Sequence, residues 1–104
     1  MKELNVLLVC GSGASSGFMA ANMRKAAKSL GYEMKIIARS ESDIESYIDE
    51  IDALMIGPHL KYLADDLNSR INGKNVKIIL MKPDYYAVLD GQKAVEHLLS
   101  AYAE

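Results

Sequence analysis

The chain has one cysteine, no tryptophan, two prolines and one phenylalanine in 104 residues. A single thiol excludes an internal disulfide and a thiolate metal cluster, so the expected compartment is reducing. The longest apolar stretch near the start, residues 6–10, is too short for a signal sequence or a membrane span. A cytoplasmic location follows as the expectation. Charge of one sign is also missing. Twelve Lys and Arg stand against fourteen Asp and Glu, a formal net charge of -2, which argues against a nucleic-acid partner. The densest basic group, Arg24, Lys25 and Lys28, falls in a helical pattern and reads as a solvated face. Two separated histidines, His59 and His97, give no metal-ligand spacing, and no metal or cofactor is expected.

What is present is apolar material in a regular arrangement. Half the residues are hydrophobic, enough for one core, and the length suits a single domain over residues 1–104. Four short apolar runs, at residues 4–9, 34–38, 53–56 and 76–80, read as strands. Each is followed by a helical stripe. The first stripe is Met19, Met23, Ala26, Ala27 and Leu30, entered at Ser15 or Ser16 and closed by Gly31. The second starts at Ser40 or Ser42 and turns Ile44, Ile48 and Ile51 inward. The third runs from His59 through Leu60, Leu63, Ala64, Leu67 and Ile71, with Asn72-Gly73 ending it. The last begins at Gly91 and carries Val95, Leu98 and Tyr102, while residues 83–90 read as a loop. Strands alternating with helices predict an open three-layer α/β/α domain with a parallel sheet and helices on both faces. The pattern alone leaves the strand order open. Ligands of such sheets bind beyond the carboxyl ends of the strands, where residues 10–17, the turn Gly57-Pro58-His59 and residues 82–90 are expected to gather.

The most informative segment is Cys10-Gly11-Ser12-Gly13-Ala14-Ser15-Ser16-Gly17. A thiol at a strand end is followed by seven small residues and a helix start. Small side chains let main-chain N–H groups converge on an anion, and the helix start adds unpaired donors and partial positive charge. The same field lowers the pKa of a neighbouring thiol. One loop would therefore activate Cys10 and bind the phosphoryl group that Cys10 attacks. The plainer reading is a small core residue before a tight turn.

Other phosphate loops fit worse. No lysine completes a P-loop, and Ser16 stands where a dinucleotide fingerprint needs its third glycine. A receiver domain needs carboxylates where this chain has Cys10 and Gly57. A cysteine phosphatase of low molecular weight has Cys, five residues, then Arg. Here that position is Ser16, so the clamping guanidinium is missing. Asp84 and Asp90 lie in the right kind of loop for a general acid, so this alternative stays open. So does a non-catalytic regulatory domain on the same fold.

At these residues the sequence resembles the enzyme IIB component of the lactose/cellobiose branch of the bacterial sugar phosphotransferase system. The resemblance extends over essentially the whole chain. It rests on LLVCGSGASSG, on Ile56-Gly57-Pro58-His59-Leu60-Lys61-Tyr62-Leu63 and on Tyr86-Ala87-Val88-Leu89-Asp90-Gly91. It implies a four-stranded parallel sheet in the order 2-1-3-4. It also implies that Cys10 accepts a phosphoryl group from a phosphohistidine of enzyme IIA and passes it to a sugar bound by membrane enzyme IIC. Amides of Gly11, Ser12, Gly13, Ala14, Ser15, Ser16 and Gly17 would form the cradle. The sugar is expected to be a β-linked disaccharide, and no residue decides which. His59 stands where the family commonly has Gln.

Around this segment, Phe18 lies off the inward stripe and reads either as a partner contact or as a lone exposed ring. His59 reads as a donor to a phosphate or a phosphorylated residue itself, or more plainly as a polar residue at a helix start, and His97 as a surface residue. Of Tyr85 and Tyr86, one is expected to cap the core or both to line a docking surface. Asp84 and Asp90 should turn from a phosphate site or bind main-chain amides, because like charges repel.

Overall fold

A computed structural model describes residues 3–9, 13–70 and 76–102. The four apolar runs form strands β1 (Leu4–Val9), β2 (Met34–Arg39), β3 (Ala53–Ile56) and β4 (Lys77–Leu80). They pair in parallel in the order β2-β1-β3-β4. The central pair, β1 and β3, is almost wholly buried, whereas the edge strands β2 and β4 each bury one residue, Ile36 and Ile79. That is why the central strands read as continuous apolar runs: helices cover both of their faces.

Alternation along the strands sorts the core into two layers. Leu4, Val6 and Leu8 of β1 join Ala53 and Met55 of β3 on one face. Helices α1 (Gly13–Ser29) and α5 (Gly91–Ser100) cover it, with Met19, Met23 and Ala27 from the first and Ala94, Val95 and Leu98 from the second. Leu7, Val9, Leu54 and Ile56 face the other way, under α2 (Ile44–Tyr47) and α3 (Lys61–Arg70). Ile44, Ile48, Ile51, Leu60, Leu63, Ala64 and Leu67 complete that layer, as the helical stripes predict.

Several boundaries differ from the sequence reading. Helix α1 starts at Gly13, ahead of the serines expected to cap it. Leu30 lies beyond the helix end and is 43% exposed, so it does not belong to the inward stripe. Gly31 closes α1 as expected: its φ is 83°, and the following amide, from Tyr32, reaches back to the carbonyl of Ala27 at 2.9 Å. The second helix shrinks to a 3-10 turn (Glu41–Asp43) and the single turn α2. Residues 83–90, read as a loop, contain the five-residue helix α4 (Pro83–Ala87) with Pro83 in its first turn. Ile71 and the Asn72-Gly73 stop fall outside the described residues.

Candidate functional site

The carboxyl edge of the sheet is assembled by main-chain bonds between neighbouring strand ends. β1 stops at Val9, whose carbonyl accepts from the amide of Gly57 at 2.9 Å. One strand further, the carbonyl of Ile56 accepts from the amide of Met81 at 2.8 Å. The carboxyl ends of β1, β3 and β4 are thus tied side by side, as a parallel sheet requires. Pro58 opens a 3-10 turn (Pro58–Leu60) between buried Gly57 and buried Leu60. Its fixed φ and the bond from the Leu60 amide to the Gly57 carbonyl, 2.9 Å, hold the main chain of His59 in place.

Cys10, Gly11 and Ser12 lie outside the described residues. Gly13, Ala14, Ser15, Ser16 and Gly17 form the start of α1. The expectation of an irregular loop through residue 17 is therefore corrected. In an α-helix beginning at Gly13, the amide of Gly17 is directed to the carbonyl of Gly13, while the amides of the first turn have no partner within the helix. Gly17 itself is exposed, and a Cβ there would meet nothing within 4 Å.

Helix α1 is fixed from the side by the 86–91 segment. A Cβ on Gly91 would lie 2.3 Å from the carbonyl carbon of Asn22 and 2.7 Å from the amide nitrogen of Met23. Only glycine lets the two helix backbones meet so closely. Asn22 Nδ2 also donates to the carbonyl of Leu89 at 2.8 Å, and Leu89 has a positive φ of 54°. Asp90 caps α5 by accepting from the Lys93 amide at 3.1 Å. Asp84 accepts from the Tyr85 amide at 2.7 Å. Both carboxylates thus bind main-chain amides, as the repulsion argument expects.

The aromatic residues separate into two roles. Tyr85 is buried in the α1/α5 layer, whereas Tyr86 is half-buried with its ring centroid 6.0 Å from that of His59. Phe18 is 64% exposed and Val88 72%. His97, read as a surface residue, is instead half-buried, with Nδ1 2.6 Å from the Tyr85 hydroxyl. Burial pushes the Tyr85 phenol up to about 12, opposed by a main-chain bond at Lys82. Burial, then the Lys82 charge, lowers the pKa of His97. Sequence reasoning missed this pair, although a signal was present. His97 lies beside buried Leu98 and three residues after Ala94, on the flank of the inward stripe. The close approach at Gly91 and the Asn22–Leu89 bond were also missed, and only the position of the 86–91 match hinted at them.

Comparison with known proteins places this fold in a family. A family model described as "PTS system, Lactose/Cellobiose specific IIB subunit" matches residues 5–97. The chain is 30% identical over 95 residues to the "PTS system oligo-beta-mannoside-specific EIIB component" of Bacillus subtilis (strain 168), covering 91% of this chain and 92% of that protein. It is 28% identical over 96 residues to the "PTS system lactose-specific EIICB component" of Lactococcus lactis subsp. lactis, spanning 90% of this chain but 17% of that longer protein. The solution structure of the cellobiose-specific phosphotransferase IIB component from Borrelia burgdorferi superposes with a TM-score of 0.77 at 25% identity, over 96% of this chain and 92% of that one. The lactose-specific IIB domain from Streptococcus pneumoniae superposes with a TM-score of 0.85 at 17% identity, over 97% and 99%, a likeness of fold. With the sheet order β2-β1-β3-β4 and the match over 5–97, the chain belongs to the lactose/cellobiose-specific IIB subunits of the phosphotransferase system, and is a phosphotransferase component.

Proposed function

We propose that residues 1–104 act as one IIB domain in which Cys10 is the phosphoryl carrier. The observation that carries this reading is the position of Cys10 in the chain. It follows the last residue of β1 and precedes by three the first residue of α1, in a region tied by the Val9–Gly57 bond. A thiolate there would face the unpaired amides at the head of a 17-residue helix, which favour an anion and a depressed thiol pKa.

In this mechanism the sulfur lone pair of Cys10 attacks the phosphorus of a phosphohistidine on enzyme IIA. The S–P bond forms as the P–N bond breaks, and the electron pair leaves on the imidazole nitrogen. Amides of Gly11, Ser12, Gly13, Ala14 and Ser15, with Ser16, hold the equatorial oxygens; Gly17 serves by continuing the helix. In the second transfer a sugar hydroxyl held by enzyme IIC attacks phosphorus and loses its proton as the P–S bond breaks and the thiolate returns. Catalysis here is positioning and charge stabilisation. The names of the EIICB relatives support IIC as the acceptor side; the cellobiose- and lactose-specific names support a β-linked disaccharide as the cargo, beside relatives named for galactose and for oligo-beta-mannosides. Among the described residues no helix is long and apolar enough to cross a membrane. A cytoplasmic carrier that meets IIC at the membrane surface is consistent with that.

The test is intact-mass measurement after incubation with phosphorylated enzyme IIA. The wild-type chain should gain one phosphoryl group, and Cys10→Ser should gain none while keeping its fold by circular dichroism. Steady release of inorganic phosphate without a phosphoprotein would instead favour the phosphatase reading. Full phosphorylation of Cys10→Ser would remove the mechanism.

A further inference from the structure

Helix α4 has five residues, too few to persist as a helix in water without tertiary support. Its support is the α1/α5 layer, where Tyr85 is buried and Tyr86 and Leu89 are half-buried. The Tyr85 ring meets the His97 ring edge-on, with centroids 5.7 Å apart and planes at 73°. The phenol oxygen lies 2.6 Å from Nδ1. A buried phenol needs an acceptor for its proton. The Lys82 main chain lowers the phenol pKa, which is the action of a donor on the oxygen, so the accepting side of that oxygen is served from there. The phenol proton is therefore directed to Nδ1 of His97. Neutral His97 then carries its own proton on Nε2.

A proton on Nδ1 would set N–H against O–H across this short distance. Turning the phenol would take its proton off the acceptor it now has, at a buried site. Turning the imidazole is the other course, and there is room for it. A cleft of about 290 Å3 adjoins the ring between α4 and α5. Of the charged groups that line it, Asp84 and Glu96 attract an imidazolium, while Lys82 and Lys93 repel one. We propose that the Tyr85–His97 bond is a proton-operated latch on α4: it is closed while Nδ1 accepts from the phenol, and it opens when Nδ1 takes a proton from solvent and the ring swings into the cleft. The device is independent of the Cys10 reading. Burial and the Lys82 charge keep the latched imidazole neutral to below its ordinary value of 6.5. A released ring returns toward that ordinary value. Between the two values, each unit of falling pH favours the open form by about tenfold.

The experiment is an NMR titration of the full chain from about pH 8 to about pH 5, with wild type, Tyr85→Phe and His97→Gln. Ring nitrogen shifts of wild type at the alkaline end should show His97 protonated on Nε2. The amides of Tyr85, Tyr86 and Ala87 should shift with the midpoint of His97 and not with that of His59, the other histidine of the chain. Their protection from hydrogen exchange, corrected for the intrinsic pH dependence, should fall through the same range relative to β1. In Tyr85→Phe the His97 midpoint should rise, because the bond that favours the neutral ring is gone. In His97→Gln the α4 amides should lose this titration. A neutral His97 protonated on Nδ1 would overturn the proposal. So would an unchanged or lowered midpoint in Tyr85→Phe, or α4 amides that ignore the His97 titration in wild type. The wild-type measurements decide by themselves if either variant fails to fold.

Discussion

One face of the sheet is covered by two regular helices, α1 of 17 residues and α5 of 10, whose backbones meet at Gly91. The other face is covered by α2, a single turn, and by α3, which reaches the sheet through Leu63, Ala64 and Leu67. Both layers are apolar and buried. They differ in how far each can give. Main chain against main chain leaves nothing to rearrange, whereas a one-turn helix between a 3-10 turn and a loop can settle by small shifts. The helix that opens the proposed phosphoryl site belongs to the unyielding face.

Leu7 and Leu8 put this contrast to the test with the largest expected effect. They are adjacent in β1, chemically identical and both 0% exposed, but they point to opposite layers. Truncating either to Ala should cost about 2–5 kcal/mol, and the cost rises where the surroundings cannot collapse. Leu8→Ala should therefore exceed Leu7→Ala by about 1 kcal/mol in urea unfolding. A reversed order would break the comparison.

Two glycines of the same face sharpen it. Gly91→Ala drives a Cβ into the Asn22 main chain and should cost about 1–3 kcal/mol. Gly17→Ala meets open space within a helix and should stabilise by about 0.5–1 kcal/mol. Thermal unfolding of the two variants should shift in opposite directions. Gains from both would mean that α1 and α5 are free to separate.

The smallest effect concerns pH. Burial lowers the folded pKa of His97 below its ordinary value of 6.5. On acidification the unfolded chain takes up this proton first. The contribution is complete above pH 6.5 and is lost as pH falls through the lower folded value. The unfolding midpoint should decline from pH 7 to pH 5.5, less steeply in His97→Gln. Lys82, Asp84, Lys93 and Glu96 line the cleft beside this imidazole. The Lys82 charge adds to the downward shift and the Asp84 charge opposes it.

How much of this was legible in the sequence depended on range. All four strands stood out because buried parallel strands are nearly pure apolar runs, and their helical stripes fixed both core layers. Strand order was not in the pattern; the resemblance supplied it. The short elements failed for a physical reason. α2 and α4 have one turn or little more, too few residues for a period to show, and they exist because the tertiary surface holds them. The proposed chemistry was read at Cys10, which lies outside the described residues, whereas Gly91, Asn22 and the Tyr85–His97 pair gave no such signal. Their partners lie 67–69 residues away or across a helix junction. No local pattern reports what an absent Cβ would have touched.

That absence also distributes evolutionary freedom unequally between the two helices. At the crossing, position 22 contributes main-chain atoms common to every amino acid, so its side chain can change without altering how closely the helices approach. The spacing is dictated by position 91 alone. Random variation at both sites followed by selection for folded protein should return glycine at 91 and a mixture at 22, where the cost is limited to one exposed bond to Leu89.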